Sequence, residues 1–223
     1  MPESSIPPPG HNKPWVILLA AGQGSRLAAA TKGNAKQFIS WRGAPLFWHA
    51  ARAVSRSAAV AGIVFVFPKN EHAAHKDHLR ELHAAEDLGL PWLTAAGGEL
   101  RQDSVWNGLC VLPAGTRHVL VHDAARPFVT PTLIRKVCEA LQQDVAGVIP
   151  ALPVTDTIKT VADGLVSGTL PRQTLVAAQT PQGFSCELLR QAHFHAQQKK
   201  FSVTDDAALL EALGHKVHIV EGG

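Results

Sequence analysis

The feature that most restricts the fold is an alternation of two kinds of segment. Short apolar runs of strand length at 15–20, 62–67, 92–95, 118–122 and 145–149 are separated by stretches of helical spacing at 46–57, 71–85, 102–112 and 131–142. The runs are continuously apolar, as expected of strands covered on both faces. Strand and helix in turn imply an α/β fold, a Rossmann-like, mostly parallel sheet flanked by helices, whose ligands gather at the carboxyl ends of the strands. The 223 residues, 46% hydrophobic and 17% charged, suffice for one sizeable core.

The rhythm changes after Pro150. Segments 153–159 and 164–169, punctuated by Gly164 and Gly168, read as an extended ribbon, a protruding β-arm over about 153–173. Helical stretches at 186–198 and 205–213, the second closed by Gly214, precede a strand at 216–220. Residues 1–14, with Pro7, Pro8 and Pro9 in a row, read as a disordered leader without the layout of a signal peptide, and 15–223 as one domain. The chain ends at Gly223 without the helix that the alternation leads one to expect, which reads as a truncated end.

Charge and cysteine usage narrow the function classes. Lys and Arg number 21 against 18 Asp and Glu, and no block of like charges occurs, which argues against a nucleic-acid groove or a polybasic membrane patch. No apolar run reaches the roughly 18 residues of a membrane span. Cys110, Cys138 and Cys186 form no CxxC pair, so buried free thiols in a cytoplasmic protein are expected. His72, His75 and His78 recur every third residue on a predicted helix, but no fourth ligand is evident and a metal site there is not expected.

The strongest local signal is Leu18-Leu19-Ala20-Ala21-Gly22-Gln23-Gly24-Ser25-Arg26-Leu27, directly after the first strand. Small residues and two glycines let backbone N–H groups approach a ligand, and such amides cradle phosphate oxygens. Leu27 stands where a dinucleotide fingerprint has its third glycine, and the GK[ST] ending of a P-loop is missing. Arg26 presents a cation instead, and Lys36 adds a second ten residues on. Taken alone, the turn is equally a tight connection and Lys36 an ordinary solvated lysine.

Together these residues resemble the nucleotidyltransferase family that makes activated sugar and polyol phosphates, marked by an AAGxGxR turn and a PKQ-type lysine. Further segments narrow the likeness: Gly97-Gly98-Glu99-Leu100-Arg101-Gln102-Asp103-Ser104-Val105, Val121-His122-Asp123-Ala124-Ala125-Arg126-Pro127, Pro153-Val154-Thr155-Asp156-Thr157-Ile158-Lys159, Gln179-Thr180-Pro181-Gln182 and Thr204-Asp205-Asp206-Ala207. In this order they are similar to the 2-C-methyl-D-erythritol 4-phosphate cytidylyltransferase family of the non-mevalonate isoprenoid pathway. The chain departs from the pattern in a longer stretch between Arg26 and Lys36, and in Ala35 where the family has proline.

The resemblance implies attack by a phosphate oxygen of methylerythritol phosphate on the α-phosphorus of CTP, with Mg²⁺ on the triphosphate. A phosphate monoester is already an anionic nucleophile, so the protein's task is charge neutralisation and alignment rather than general-base catalysis. By resemblance Arg26 and Lys36 are the catalytic cations. Ala20, Ala21, Gly22 and Gly24 of the turn bind the nucleotide together with Gly98, Glu99, Ser104 and Ala124. Arg126, Thr157, Arg172 and Thr180 bind the polyol phosphate. Asp123, ending the fourth predicted strand, is the candidate metal ligand, although a lone Asp there is more often a helix cap. The resemblance also implies a homodimer whose arms reach the partner's substrate, and further residues after the last strand, an asparagine and lysine pair and a closing helix. Alternatives are a ribitol 5-phosphate cytidylyltransferase on the same scaffold, the first half of a chain fused to a cyclodiphosphate synthase, and a non-catalytic nucleotide-binding module.

Overall fold

The structure is a computed structural model that describes residues 13–22, 35–142 and 145–223. Gly24 and Arg26, and most of the predicted leader, lie outside the described residues. Eight strands make the main sheet: β1 (Trp15–Leu19), β4 (Gly62–Phe67), β5 (Trp92–Ala96), β6 (His118–Asp123), β7 (Gly147–Pro153), β10 (Val176–Ala178), β11 (Gln182–Ser185) and β12 (Val217–Glu221). A small hairpin, β2 (Ser40–Trp41) with β3 (Ala44–Pro45), and the arm, β8 (Ile158–Ala162) with β9 (Leu165–Leu170), stand apart from it. The helices are α1 (Leu46–Arg56), α2 (His72–Ala85), α3 (Arg101–Cys110), α4 (Pro131–Leu141), α5 (Cys186–Lys199) and α6 (Ala207–Ala212).

Across the sheet the order is β12, β7, then β10 and β11 end to end, β6, β1, β4 and β5. All run parallel except β10 and β11, which pair antiparallel with their neighbours. This inserted return falls in the region after Pro150 where the alternation changes, and its two strands are not among those the sequence predicts. Its pieces are short and separated by the cis Thr180–Pro181 peptide, so neither carries a strand-length apolar run. Gly183 is required in it, because a Cβ there would lie 2.9 Å from Val137 Cγ1 and 3.0 Å from Leu120 Cδ2. β7 runs on to Pro153, past the predicted end at 149. Pro150 is tolerated inside it because its carbonyl, on the side of the missing N–H, faces the break between β10 and β11, where it accepts from Gln179 N at 2.7 Å.

Period-2 alternation divides the strands between two cores. Val16, Leu18, Ile63, Phe65, Phe67 and Leu120 face α1, α2 and α4, where they meet Phe47, Trp48, Leu79, Ile134 and Val137. Trp15, Ile17, Val64, Val66, Val119 and Val121 face α3, α5 and α6, with Val105, Leu109, Leu189 and Leu210. Phe47 packs edge-on against Phe65 and Phe67 with centroids 6.0 and 5.5 Å apart, and Phe47→Ala would cost about 3–5 kcal/mol. Local signals fix the helix starts: Thr130 Oγ1 accepts from Leu133 N at 3.2 Å with Pro131 in the first turn of α4, and Asp103 accepts from Leu100 N at 3.0 Å before α3. Of the three thiols, Cys138 and Cys186 are buried as expected, and burial pushes Cys138 up to about 12. Cys110 is exposed, because it lies on the face of α3 turned away from the buried Val105, Gly108 and Leu109.

Candidate active site

Three strand exits meet at the carboxyl edge. Residues Leu19 of β1 and Asp123 of β6 are register partners, and the turns leaving these strands are tied to each other and to β4: Ala20 N donates to Val66 O at 2.8 Å and Ala124 N to Leu19 O at 3.0 Å. On the far side Gly97 N donates to Phe67 O at 2.7 Å, and a Cβ on Gly97 would come within 2.4 Å of the Ala21 Cβ. Only glycine lets the turn after β5 lie against the turn after β1. The buried Ser104 hydroxyl then accepts from Gly98 N at 3.1 Å, while Glu99 stays exposed. The predicted nucleotide contacts Ala20, Ala21, Gly22, Gly98, Ser104 and Ala124 thus belong to one connected edge.

Lys36 reaches this edge through its neighbour. It opens a 3₁₀ turn, Lys36–Phe38, in which the buried Gln37 sends its amide nitrogen to Ala20 O at 2.6 Å and to Gly22 O at 2.8 Å. One side chain therefore joins the glycine turn to the lysine turn. Because the Ala20 N–H is already used by Val66, the carbonyl of Ala20, itself bonded to Gln37, is its one backbone group with a lone pair left to offer. Phe38 stacks on His75 with centroids 3.9 Å apart, the planes inclined by 5°, so His75 of the predicted histidine-rich helix face has a packing role.

Asp123 does not stand alone. Arg101 Nε lies 3.4 Å from Asp123 Oδ1 and Arg126 Nε 3.6 Å from Oδ2, so both carboxylate oxygens face a guanidinium. Arg101 in turn binds the buried Asp206 Oδ2 at 2.6 Å. Burial alone would raise the pKa of Asp206, but contact with His193, whose Nε2 is 3.4 Å away, and the charge of Arg101 hold it below the ordinary carboxylate value. Burial likewise works against the Arg101 charge, and the two carboxylates outweigh it, leaving its pKa raised. The charge at the edge is thus anchored to a side chain 105 residues away in sequence.

Behind Asp123 sits His122, fully buried, with Nε2 at 3.2 Å from Arg126 O and Nδ1 at 2.8 Å from Thr180 Oγ1. Thr180 Oγ1 also accepts from Asp123 N at 3.3 Å. Burial pulls the imidazole down to about 4; Asp123 and the hydrogen bond to the Arg126 carbonyl oppose the shift, and the Arg126 guanidinium charge adds to it. Thr157 and Arg172 lie elsewhere, exposed on the arm, with Arg172 Nη1 on Thr155 O at 2.6 Å. Among the described residues neither forms a hydrogen bond or ion pair with Lys36, Asp123, Arg126 or Thr180.

Gln37, Arg101, His122 and Asp206 were not singled out by spacing, although the last three lie inside motif segments quoted above and Gln37 directly follows Lys36. Their signal was a polar residue beside the residue given a role. As for a cation, no cluster of three or more His, Cys, Asp or Glu side chains suited to a metal occurs among the described residues. One carboxylate at the edge fits a Mg²⁺ that takes most of its ligands from phosphates and water, not a site made of protein ligands alone.

A parallel sheet whose first-strand turn, lysine turn and acidic turn converge at one edge defines a nucleotidyltransferase-type α/β domain. The comparisons make this specific. The family model described as IspD, 2-C-methyl-D-erythritol 4-phosphate cytidylyltransferase, matches residues 15–223, and the chain belongs to that family. It is 54% identical over 209 residues to the bifunctional enzyme IspD/IspF of Oleidesulfovibrio alaskensis, covering 93% of this chain and 52% of that one. It is 41% identical to the 2-C-methyl-D-erythritol 4-phosphate cytidylyltransferase of Pelotomaculum thermopropionicum, covering 95% of this chain and 86% of that one. The crystal structure of 4-diphosphocytidyl-2C-methyl-D-erythritol synthase from Anaerococcus prevotii superposes with a TM-score of 0.79 at 26% identity, covering 96% of this chain and 90% of that one. The chain spans about half the length of the bifunctional relatives it matches.

Proposed function

We propose that this chain transfers CMP from CTP to 2-C-methyl-D-erythritol 4-phosphate with release of pyrophosphate, corresponding to the cytidylyltransferase half of its bifunctional relatives. The observation that carries the reading is the juxtaposition of the Gln37-joined turns, which bring Lys36 to Ala20 and Gly22, with the Asp123–Arg126 turn across the same edge. Lys36, with Arg26, neutralises the charge that grows on the α-phosphate as pyrophosphate leaves. Arg126, paired with Asp123, meets the phosphate of the polyol. The substrate phosphate supplies the nucleophile, so no side chain has to remove a proton. When bound, Mg²⁺ would supply charge neutralisation on the triphosphate, with Asp123 the carboxylate able to face it.

The arm supports a homodimer. Val161, Leu165 and Val166 on it are each more than 60% exposed, an apolar surface that a second copy would cover, bringing Thr157 and Arg172 to the partner's substrate. Free Cys138 and Cys186 suit a reducing, cytoplasmic setting. Incubation with CTP, Mg²⁺ and methylerythritol phosphate should release pyrophosphate much faster than the same mixture with ribitol 5-phosphate. Equal or reversed rates would reject the substrate assignment, and nucleotide binding without pyrophosphate release from either would indicate a binding module.

A further inference from the structure

The partners of His122 assign roles to its two ring nitrogens. Arg126 O has only lone pairs, so Nε2, 3.2 Å away, must carry the ring hydrogen. Full burial disfavours the charged imidazole, which leaves Nδ1 as a lone pair and has the Thr180 hydroxyl, 2.8 Å away, donate to it. One lone pair of Thr180 Oγ1 already receives the Asp123 N–H at 3.3 Å. A single acceptor position remains on that oxygen and no donor.

We propose that His122 is a positioning residue that, by taking the Thr180 proton at Nδ1 and holding the Arg126 carbonyl at Nε2, presents Thr180 to the polyol phosphate as an acceptor only, so that Thr180 reads a substrate hydroxyl and not a phosphate oxygen. The chemistry follows from charge. A phosphate dianion has only lone pairs to offer and would meet the lone pair of Oγ1, whereas a polyol O–H completes it. The same imidazole closes the turn from Asp123 to Arg126, whose own bond, Arg126 N to Asp123 O, is 2.9 Å long. Hydroxyl recognition and placement of the phosphate-binding guanidinium therefore depend on one side chain that touches neither ligand. Sites that pair a substrate hydroxyl reject analogues lacking it far better than apolar pockets do.

The inference rests on the cytidylyltransferase reading for its substrate and is tested in two ways, one of which needs no turnover. With ¹⁵N-histidine protein, His122 should show a pyrrole-type Nε2–H and an unprotonated Nδ1, with Nδ1 shifting when Thr180→Val removes the donor; a protonated Nδ1 overturns the proposal. In kinetics, Thr180→Val should raise KM for methylerythritol phosphate roughly threefold to tenfold, the worth of one neutral hydrogen bond, with KM for CTP unchanged, and Thr180→Ser should recover most of the loss. His122→Gln, which keeps a donor near Nε2 and loses the acceptor at Nδ1, should raise the same KM, and combining it with Thr180→Val should add little. Unchanged KM in Thr180→Val, or a loss shared equally with CTP, overturns the proposal. Absence of all transfer by the parent protein would instead reject the cytidylyltransferase reading, leaving the tautomer measurement to decide the role of His122.

Discussion

The carboxyl edge and the arm solve opposite problems. At the edge, Arg101, His122 and Asp206 are buried or half-buried polar groups, each closed onto another element of the same chain: α3 onto the segment before α6, β6 onto the loop between β10 and β11. The arm has two strands in mutual contact, a hairpin that presents Val161, Leu165 and Val166 to solvent. An isolated two-stranded ribbon is marginal in water, and its stability has to come from what covers it. The difference teaches that charge placement is arranged within the chain, whereas in the proposed dimer the reach of Thr157 and Arg172 would depend on a partner surface.

The largest effect should come from opening the edge. Arg101→Met leaves the buried Asp206 carboxylate without its cation, and urea unfolding at neutral pH should show a loss of about 3–5 kcal/mol; a loss below 1 kcal/mol would mean the edge is not stabilised from within. Next is Lys36→Ala, expected to lower kcat by a hundredfold to a thousandfold, about 2.7–4 kcal/mol, while nucleotide affinity changes far less. Near-normal turnover would remove Lys36 from the mechanism.

The pH dependence of stability should follow. His122 titrates near 6.5 when unfolded and about 4 when folded, so the unfolded chain binds the extra proton first and stability falls as pH drops from about 6.5 to 4, by on the order of 3 kcal/mol. Asp206, lowered from 3.8, contributes in the same direction only below that value. His122→Gln should flatten the slope between pH 6.5 and 4, and an unaltered slope would assign it to other histidines. Smallest in unfolding free energy is the arm: Val161→Ser with Leu165→Ser, both exposed, should change it by less than about 0.5 kcal/mol per site while shifting the sedimentation of the protein from dimer to monomer. A dimer that survives would place the interface elsewhere.

These two regions were also unequally legible in the sequence. The parallel strands and α1 to α5 announced themselves because each buries a contiguous or periodic apolar set, and the arm because Gly164 and Gly168 break that periodicity. The return through β10 and β11 stayed hidden, since neither piece carries a strand-length apolar run and the place of Gly183 shows only where Val137 and Leu120 crowd it. Arg101 with Asp206 and His122 with Thr180 are 105 and 58 residues apart, and no spacing rule joins partners at such separations. Motif likeness supplied the residues that would touch ligand and passed over those that hold them.

Gln37 carries one more implication. By bonding both Ala20 O and Gly22 O it pins residue 22 to residue 37 whatever the length of chain between them. The cost of closing a loop grows only as (3/2)RT ln n, about 0.6 kcal/mol for a doubling. Insertions within that span are therefore inexpensive provided the amide stays in place, and the longer interval from Arg26 to Lys36 in this chain leaves the lysine anchored at the same edge. The position of the lysine turn is thus tied to the first-strand turn by one amide, not by the number of residues that precede it.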